Sequence, residues 1–179
     1  MKKLATSELG RLKLTDFQQL AKLPVKIILD DVRSALNVGS VFRSTDAFMF
    51  DELILCGITA RPPHKEILKT AIGATESVKW QHTQSITSIL KELKAQGYTI
   101  LAAEQTTHSV ALNDALDWIK KEKIAVIFGN EVSGVSDEAL QLCEASIEIP
   151  QFGTKHSFNI SVSMGIIGWE ILKTKKLKA

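Results

Sequence analysis

Residues 147–172 constrain the fold of this chain most, because the second half of this segment is apolar on nearly every side. The segment starts as a short buried strand, breaks at Pro150, crosses a polar loop and regains order at Ser157. Residues 158–172 are predicted to form a helix without a wide polar stripe, and such a helix must be covered all round. We expect one flank to pack on a sheet and the other on a second copy of the chain. The small residues that would allow this close approach are Ser161, Gly165 and Gly168.

Composition limits the number of domains and the classes of partner. The 179 residues, 45% of them hydrophobic, suffice for one core, which we assign to residues 25–179 behind a short helical leader at 1–24. The formal net charge of +2 allows a nucleic-acid partner without arguing for one. Cys56 and Cys143 lie in apolar contexts, which favours buried free thiols in a reducing cytoplasm. There is no secretory signal and no stretch long enough to span a membrane.

Strand-like and helix-like segments alternate along the chain. The strands are predicted at residues 25–30, 53–56, 78–82, 98–104, 124–129 and 146–150. The helices are predicted at 15–23, stopped by Pro24, at 39–48, from about His64, at 85–97 with Ser85 as N-cap, at 112–122, at 136–143 with Ser136 as N-cap, and at the C-terminal segment. This alternation predicts an α/β fold with a parallel sheet that is covered by helices on both faces.

In such a sheet, ligands bind at the carboxyl ends of the strands. This rule directs attention to four loops, at residues 31–37, 105–112, 130–135 and 151–157. Neither a G-x-G-x-x-G turn nor a Walker lysine motif follows any strand, which argues against common nucleotide enzymes. The histidines lack the spacing of a zinc site and no serine lies in a nucleophile elbow, so we expect no metal and no acyl-enzyme chemistry. The histidines are His64, His82, His108 and His156.

The loop after the first strand carries Asn37, Gly39 and Arg43 in the run N-V-G-S-V-F-R. If a helix begins near Gly39, Arg43 lies one turn inside it and faces the same loop as Asn37. A capping asparagine and a surface arginine would explain the same residues without any ligand.

The loop after the most hydrophobic strand reads F-G-N-E-V-S-G-V and carries Gly129, Glu131 and Gly134. The two glycines allow close backbone approach or a positive φ, and they hold the glutamate near the strand end. A turn without a ligand is the alternative explanation.

Taken together, three segments resemble the SpoU or TrmH-type RNA 2′-O-ribose methyltransferases of the SPOUT superfamily. They are N-x-G-x-x-x-R, F-G-x-E-x-x-G-[VLI] and I-P-x-x-G-x-x-x-S-x-N-x-S, and the resemblance covers residues 25–172. It implies an α/β domain whose C-terminal part is threaded into a trefoil knot. It also implies S-adenosylmethionine bound in that knot and a site that a homodimer completes.

The resemblance also implies roles for individual residues. The catalytic set would be Asn37, Arg43, Glu131, Ser157 and Asn159, and the cofactor contacts would be Gln105, Gly129, Ile149, Ser157 and Phe158. Three positions depart from the family pattern, with Gln151 in place of methionine, Phe158 in place of leucine and Ser163 in place of alanine, but none of them removes a catalytic position.

Methyl transfer to a ribose 2′-hydroxyl requires an in-line nucleophile that loses its proton. A guanidinium stays protonated, so we expect Arg43 to pair with the target phosphate while the proton leaves through that phosphate or neutral side chains. Among RNAs we favour tRNA over rRNA, because many compact relatives act there. Two alternatives remain, a catalytically silent RNA-binding module of the same fold and a flavodoxin-like nucleotide-binding enzyme. Candidate RNA contacts are Arg61, Lys65, Lys173, Lys175, Lys176 and Lys178, although a solvated helix end explains the last four equally well.

Overall fold

A seven-stranded parallel sheet organises the protein, as seen in a computed structural model that describes residues 1–177, apart from the side chains of Thr6 and Ser7. The strands lie in the order β3-β2-β1-β6-β4-β7-β5, and every pairing is parallel. The predicted α/β class is therefore confirmed. The strands are β1 (Leu23–Asp30), β2 (Phe50–Cys56), β3 (Lys79–Thr83), β4 (Thr99–Ala103), β5 (Val110–Ala111), β6 (Ile124–Phe128) and β7 (Ala145–Glu148).

Helices cover both faces of the sheet, which explains why the central strands are apolar at almost every position. Ile27 and Leu29 of β1 face one core cluster with the first long helix and the C-terminal helix, whereas Ile28 faces the other cluster. The helices are α1 (Leu14–Gln19), α2 (Ala35–Ala47), α3 (Lys65–Ala71), α4 (Ala74–Ser77), α5 (Ile86–Ala95), α6 (Leu116–Ile119), α7 (Asp137–Leu140) and α8 (Ile160–Leu172). Short 3₁₀ turns occupy Thr6–Leu9 and Leu112–Asp114, and a π-helical turn, Lys173–Leu177, follows α8.

Several predicted helix boundaries are wrong. The first helix ends at Gln19, and Pro24 lies inside β1 instead of stopping that helix. The helix predicted at 112–122 is only a 3₁₀ turn and one turn of α6, and only Ala115 and Ile119 of this segment are fully buried. In α7, Ser136 precedes the first turn as predicted, but its hydroxyl accepts no capping hydrogen bond. By contrast, Ser85 caps α5 as predicted, by accepting from Ser88 N.

The helix after β1 begins at Ala35, four residues earlier than predicted, because Ser34 is its N-cap and its Oγ accepts from Asn37 N at 3.3 Å. Asn37 therefore lies in the first turn of α2. Arg43 follows six residues later, which places it about 120° away around the helix axis. The prediction that Arg43 and Asn37 face the same loop is wrong.

The C-terminal helix, α8, starts at Ile160, two residues later than predicted, and its N-cap Asn159 accepts from Ser161 N at 2.9 Å. Its buried flank packs against α2 and comprises Ile160, Met164, Ile167, Gly168 and Ile171. A Cβ on Gly168 would lie 2.6 Å from the ring of Phe48, so Gly168 packs within its own chain and its predicted place at an interface is wrong. Gly165 faces open space, and Val162 and Trp169 are 47% and 50% exposed.

Both cysteines are free thiols, as predicted. Cys56 is buried and Cys143 is half-buried. Burial, reinforced by nearby carboxylates, raises the pKa of each thiol to about 12. Over residues 1–177, every helix is too short or too polar to traverse a lipid bilayer.

Gly39 is expected to be required for packing of α2 on α3. A Cβ at this position would lie 2.4 Å from the carbonyl oxygen of Ile67, which is backbone and cannot turn aside. Gly39→Ala should lower the free energy of unfolding by about 1–3 kcal/mol, measured by urea denaturation. Gly153→Ala is the matched control, because a Cβ there meets no neighbour and its φ lies outside the left-handed region, so its free energy of unfolding should not fall. An undiminished free energy of unfolding for Gly39→Ala would contradict this packing.

Candidate functional site

A cavity of about 460 Å³ opens at the carboxyl ends of β4, β6 and β7. Its volume lies in the range of small-molecule sites. The loops after these three strands and the start of α8 line it, so three of the four predicted loops converge as expected. The lining residues include Glu104, Gln105, Gly129, Glu131, Glu148, Ile149, Gln151, Ser157, Phe158 and Asn159.

The fourth predicted loop, after β1, joins the cavity wall through Glu131. Its Oε2 accepts from the backbone N–H of Arg33 at 2.9 Å, and its Oε1 accepts from Ser34 N at 3.0 Å and from Asn37 Nδ2 at 3.1 Å. Burial alone would raise the pKa of Glu131, but these hydrogen bonds outweigh burial and lower it. One carboxylate therefore fixes the loop after β6 to the start of α2.

Asn37 extends this hydrogen-bond network to the C-terminal helix. While its Nδ2 donates to Glu131, its Oδ1 accepts from Asn159 Nδ2 at 3.1 Å. Asn159 Oδ1 in turn accepts from Ser161 N at 2.9 Å and from Ser161 Oγ at 2.7 Å. Three residues that are far apart in sequence thus form one hydrogen-bonded chain from β6 through α2 to α8.

The loop after β6 folds back on itself at Asn130 and Gly134, which exchange two backbone hydrogen bonds of 2.9 Å. Gly134 has φ +71°, which confirms the predicted positive φ. A Cβ on Gly129 would lie 2.1 Å from the backbone of Gly134 and of Val135. Gly129 is therefore required by the loop's own backbone, which confirms the predicted close backbone approach.

Sequence reasoning missed Glu104, which ends the β4 segment. Its Oε1 accepts from Gln105 N at 2.9 Å, and its Oε2 accepts from Val135 N at 2.9 Å. Gln105 Nε2 donates to His156 O at 2.9 Å and so ties the loop after β7 to the end of β4. Glu104 could have been predicted as a site residue from the sequence, because it is a carboxylate at the carboxyl end of a buried strand.

The cavity carries negative charge. Three carboxylates, those of Glu104, Glu131 and Glu148, are among its lining residues, whereas lysine and arginine are absent from that set. Negative charge in a partly enclosed space favours a cationic ligand and disfavours a phosphate.

The structure brings most of the predicted site residues together. Gln105, Gly129, Glu131, Ile149, Ser157, Phe158 and Asn159 line the cavity, and Asn37 is hydrogen-bonded to two of them. Arg43 does not line it. Its side chain is exposed on α2 and makes no hydrogen bond or ion pair to residues 1–177.

Most of the predicted cationic tail is engaged with neighbouring groups. Lys173 pairs with Glu170 at 2.5 Å, and Lys175 Nζ donates to the carbonyl oxygens of Lys121 and Glu122. Burial lowers the pKa of Lys175, and Lys176 Nζ lies 3.0 Å from the sulfur of Met49. These contacts favour a structural role for the tail, and Lys178 lies outside the described residues.

Near the carboxyl ends of β2 and β3, Arg61 Nη1 lies 3.1 Å from His82 Nδ1. Because a guanidinium can only donate, Nδ1 must accept, which leaves His82 Nε2 to donate to Gly57 O at 3.0 Å. Lys65 is exposed at the start of α3. This edge of the sheet therefore retains cationic side chains beyond the cavity.

Comparisons with known proteins agree with this geometry. The model of the "SpoU rRNA Methylase family" matches residues 24–169. The 23S rRNA (guanosine-2'-O-)-methyltransferase RlmB of Neisseria meningitidis serogroup B is 28% identical over 161 residues, which make up 90% of this chain and 63% of that protein. The chain spans less than two thirds of the length of this relative and of a Borreliella burgdorferi relative, at 63% and 64%.

Two solved structures share the fold. The TrmH/SpoU tRNA modifying enzyme of A. aeolicus has a TM-score of 0.81 at 24% identity, with 92% of this chain and 82% of that chain covered. The SpoU methyltransferase AviRb from Streptomyces viridochromogenes, in complex with AdoMet, has a TM-score of 0.77 at 21% identity, with 89% and 61% covered. The α/β fold that the resemblance implied is thereby shown.

Glu131→Gln should change the acid dependence of stability. Because the folded-state pKa of Glu131 is lowered, its carboxylate stabilises the fold above the unfolded-state pKa of about 4.3, and this contribution is lost as the pH falls through the folded-state value. The variant should be less stable at neutral pH by under ~1 kcal/mol, since the group is exposed to solvent screening. Below about pH 4 the difference should shrink.

Urea denaturation at both pH values measures this effect. Glu138→Gln is the control, because Glu138 is exposed and its carboxylate has no hydrogen-bond partner within residues 1–177. A loss that is equal at both pH values would contradict the assigned role of the Glu131 charge.

Proposed function

Because this chain belongs to the SpoU rRNA Methylase family, we propose that it transfers a methyl group from S-adenosylmethionine to a ribose 2′-hydroxyl of RNA. The curated relative RlmB is named as a guanosine-2'-O-methyltransferase of 23S rRNA, which supports this reaction class. The observation that carries the proposal is the charge of the cavity. Its three carboxylates and its lack of lysine and arginine suit a cofactor with a cationic sulfonium.

The same observation disfavours the flavodoxin-like alternative. A nucleotide enzyme of that type must hold a phosphate, and phosphates are bound by cationic side chains or by backbone N–H groups at a helix N-terminus. The acidic lining would repel such a group. A sulfonium cofactor has no phosphate, so the same lining favours it.

The residues present fit this cofactor. Gln105, Gly129, Ile149, Ser157 and Phe158 line the cavity and would hold it, with Ile149 and Phe158 as the apolar part. Within residues 1–177, Ser157 Oγ and the Gln151 amide have no hydrogen-bond partner, which leaves both to bind a ligand. When bound, the cofactor supplies an electrophilic methyl group on its sulfonium.

The protein's own residues must position the ribose and accommodate the proton that it loses. A guanidinium remains protonated, so Arg43 would pair with the target phosphate and hold the 2′-hydroxyl in line. The proton would leave through that phosphate or by way of the Ser157 hydroxyl, which can accept one proton while it passes on its own. Asn159 would position the ribose, because its amide is already hydrogen-bonded to Asn37 and Ser161. Glu131 would act indirectly, because its hydrogen bond holds Asn37, and Asn37 in turn holds Asn159.

We also infer a homodimer with a shared site. Arg43 does not line the cavity of its own chain, so it would have to act at the cavity of a second copy. The outward flank of α8, with Val162, Gly165 and Trp169, is the surface that this copy would cover. Burying each large apolar residue is worth about 1.5–3 kcal/mol. The trefoil knot of the C-terminal segment belongs to the same proposal and follows from the family.

We propose that the RNA substrate is tRNA. We also propose that the protein acts in the cytoplasm. Relatives named for rRNA and for tRNA both share the fold, so the preference rests on the resemblance of compact relatives. Arg61 and Lys65 are the cations that we expect to contact the RNA backbone, since Lys173 and Lys175 are engaged in the structure.

One experiment tests the proposed function as a whole. The protein is incubated with S-adenosylmethionine that carries a labelled methyl group and with either total tRNA or rRNA, and the nucleosides are then separated. We expect the label on ribose 2′-oxygens, and binding of S-adenosylhomocysteine in calorimetry. Label on bases only would overturn the reaction, and cofactor binding without any transfer would favour the silent RNA-binding module.

Arg43→Lys should abolish most of the turnover while cofactor affinity stays unchanged. Lysine keeps the charge but loses the bidentate fork, so the target phosphate would be held in a poorer geometry. We expect kcat to fall by about 100-fold or more. Arg11→Lys, an exposed arginine of the leader, is the control. Full turnover in Arg43→Lys would contradict the bidentate role.

Mixing two inactive variants should restore activity if the site is shared. Arg43→Ala keeps the cavity, and Asn159→Ala keeps the arginine, so a mixed dimer would hold one complete site. After co-refolding, we expect roughly a quarter of the unmodified activity, because half of the random dimers are mixed and each has one of two sites. Activity no higher than that of either variant alone would contradict an arginine supplied by the partner.

A further inference from the structure

The loop after β7, residues 151–157, carries an exposed aromatic ring directly after Gln151, which lines the cavity. Phe152 is 98% exposed, and among the residues whose burial is described only Met1 is a more exposed large hydrophobic residue. Single exposed apolar residues are common and need no explanation by themselves. The neighbours of this ring make it different, because Gln151, Ser157 and Phe158 from the same stretch line the cavity.

The position of this loop is fixed at its ends. His156 O accepts from Gln105 Nε2 at 2.9 Å, which anchors the loop to the end of β4. Just beyond, Asn159 caps α8 and bonds to Asn37. At the other end the loop follows β7, whose last residue, Glu148, accepts from Ser109 Oγ at 2.8 Å. Phe152 is thus held beside the cavity rather than on a free terminus.

The charge of the loop complements a nucleic-acid backbone. Lys155 and His156 are exposed, and residues 151–157 contain no acidic side chain. The cavity itself is acidic and disfavours phosphate, so an RNA backbone must stay outside its mouth. The loop supplies a cation at that place, next to an aromatic ring.

We propose that Phe152 is a stacking platform for a nucleobase adjacent to the target nucleotide, with Lys155 binding a phosphate on the same side. This inference rests on the proposed function and names a part of its substrate site. Proteins hold unpaired bases by stacking them on aromatic side chains, and they hold the backbone by lysine contacts. The occupant is therefore single-stranded or loop RNA, and its base identity is not read by the ring because every base has a π-face.

Substitutions of Phe152 test the stacking. The probes are unfractionated tRNA and a short fluorescein-labelled single-stranded RNA, with binding followed by anisotropy. Phe152→Ala should weaken RNA binding by roughly 5- to 150-fold, the range for loss of one base–aromatic stack. Phe152→Leu should weaken it similarly, because an apolar side chain without a π-face remains, whereas Phe152→Trp should retain it.

The dependence of RNA affinity on salt concentration distinguishes the role of Phe152 from that of Lys155. Phe152→Ala should leave the slope of log affinity against log salt unchanged, because stacking releases no counterion. Lys155→Ala should reduce that slope by about 1. Ile72→Ala is the control for exposed apolar surface, since Ile72 is 67% exposed on the crossover between β2 and β3. Its RNA affinity should equal that of the unmodified protein.

Other outcomes would overturn the inference in distinct ways. Unchanged RNA affinity in Phe152→Ala would show that Phe152 does not stack on a nucleobase. A loss of S-adenosylhomocysteine affinity instead would mean that the ring covers the cofactor, and a shift from dimer to monomer in light scattering would mean that it packs on a second copy. If the unmodified protein binds RNA but does not methylate ribose, the proposed function is wrong and the stacking of RNA on Phe152 can still hold. If the unmodified protein binds no RNA, the proposed function and the stacking role are both wrong.

Discussion

The carboxylate of Glu131 is the interaction on which the rest of the site depends. It sits on the loop after β6 but accepts hydrogen bonds from two backbone N–H groups and one side-chain amide that follow β1. β1 and β6 are neighbours in the sheet, so a single side chain can span their loops. A carboxylate suits this place because it accepts with both oxygens and donates with neither. Through Asn37 it also orients Asn159 and the start of α8.

Two kinds of charge are separated at this edge of the sheet. Inside the cavity, Glu104, Glu131 and Glu148 create a place for a cationic cofactor. Outside it, Lys155 in the loop after β7 and Arg61 near β3 are the cationic side chains that we propose to contact an RNA backbone. Because opposite charges are favoured in the two places, a phosphate that entered the cavity would be repelled while a sulfonium would not. This separation of charge is what the proposed function requires, since a cationic cofactor and an RNA substrate would have to meet at this edge of the sheet.

Much of this arrangement could be predicted from local sequence. The buried strands, the parallel sheet and the convergence of loops at its carboxyl edge follow from periodicity and from a general rule of α/β folds. The side-chain partnerships could not be predicted, because they join residues such as Asn37 and Asn159 that are distant in sequence. Glu104 was missed since its partner, Val135, belongs to another loop. Gly168 was misplaced because only the packed structure shows Phe48 against it.

Amide hydrogen exchange in a Glu131→Ala variant tests most directly whether this carboxylate holds the site together. In the unmodified protein, the amides of Arg33 and Ser34 donate to Glu131 and should be protected, and the variant should lose that protection. The amides of Asn130 and Gly134 are an internal reference, because they bond to each other and should keep their protection. If Arg33 and Ser34 stay as protected in the variant as in the unmodified protein, Glu131 does not hold the loops and the account is contradicted.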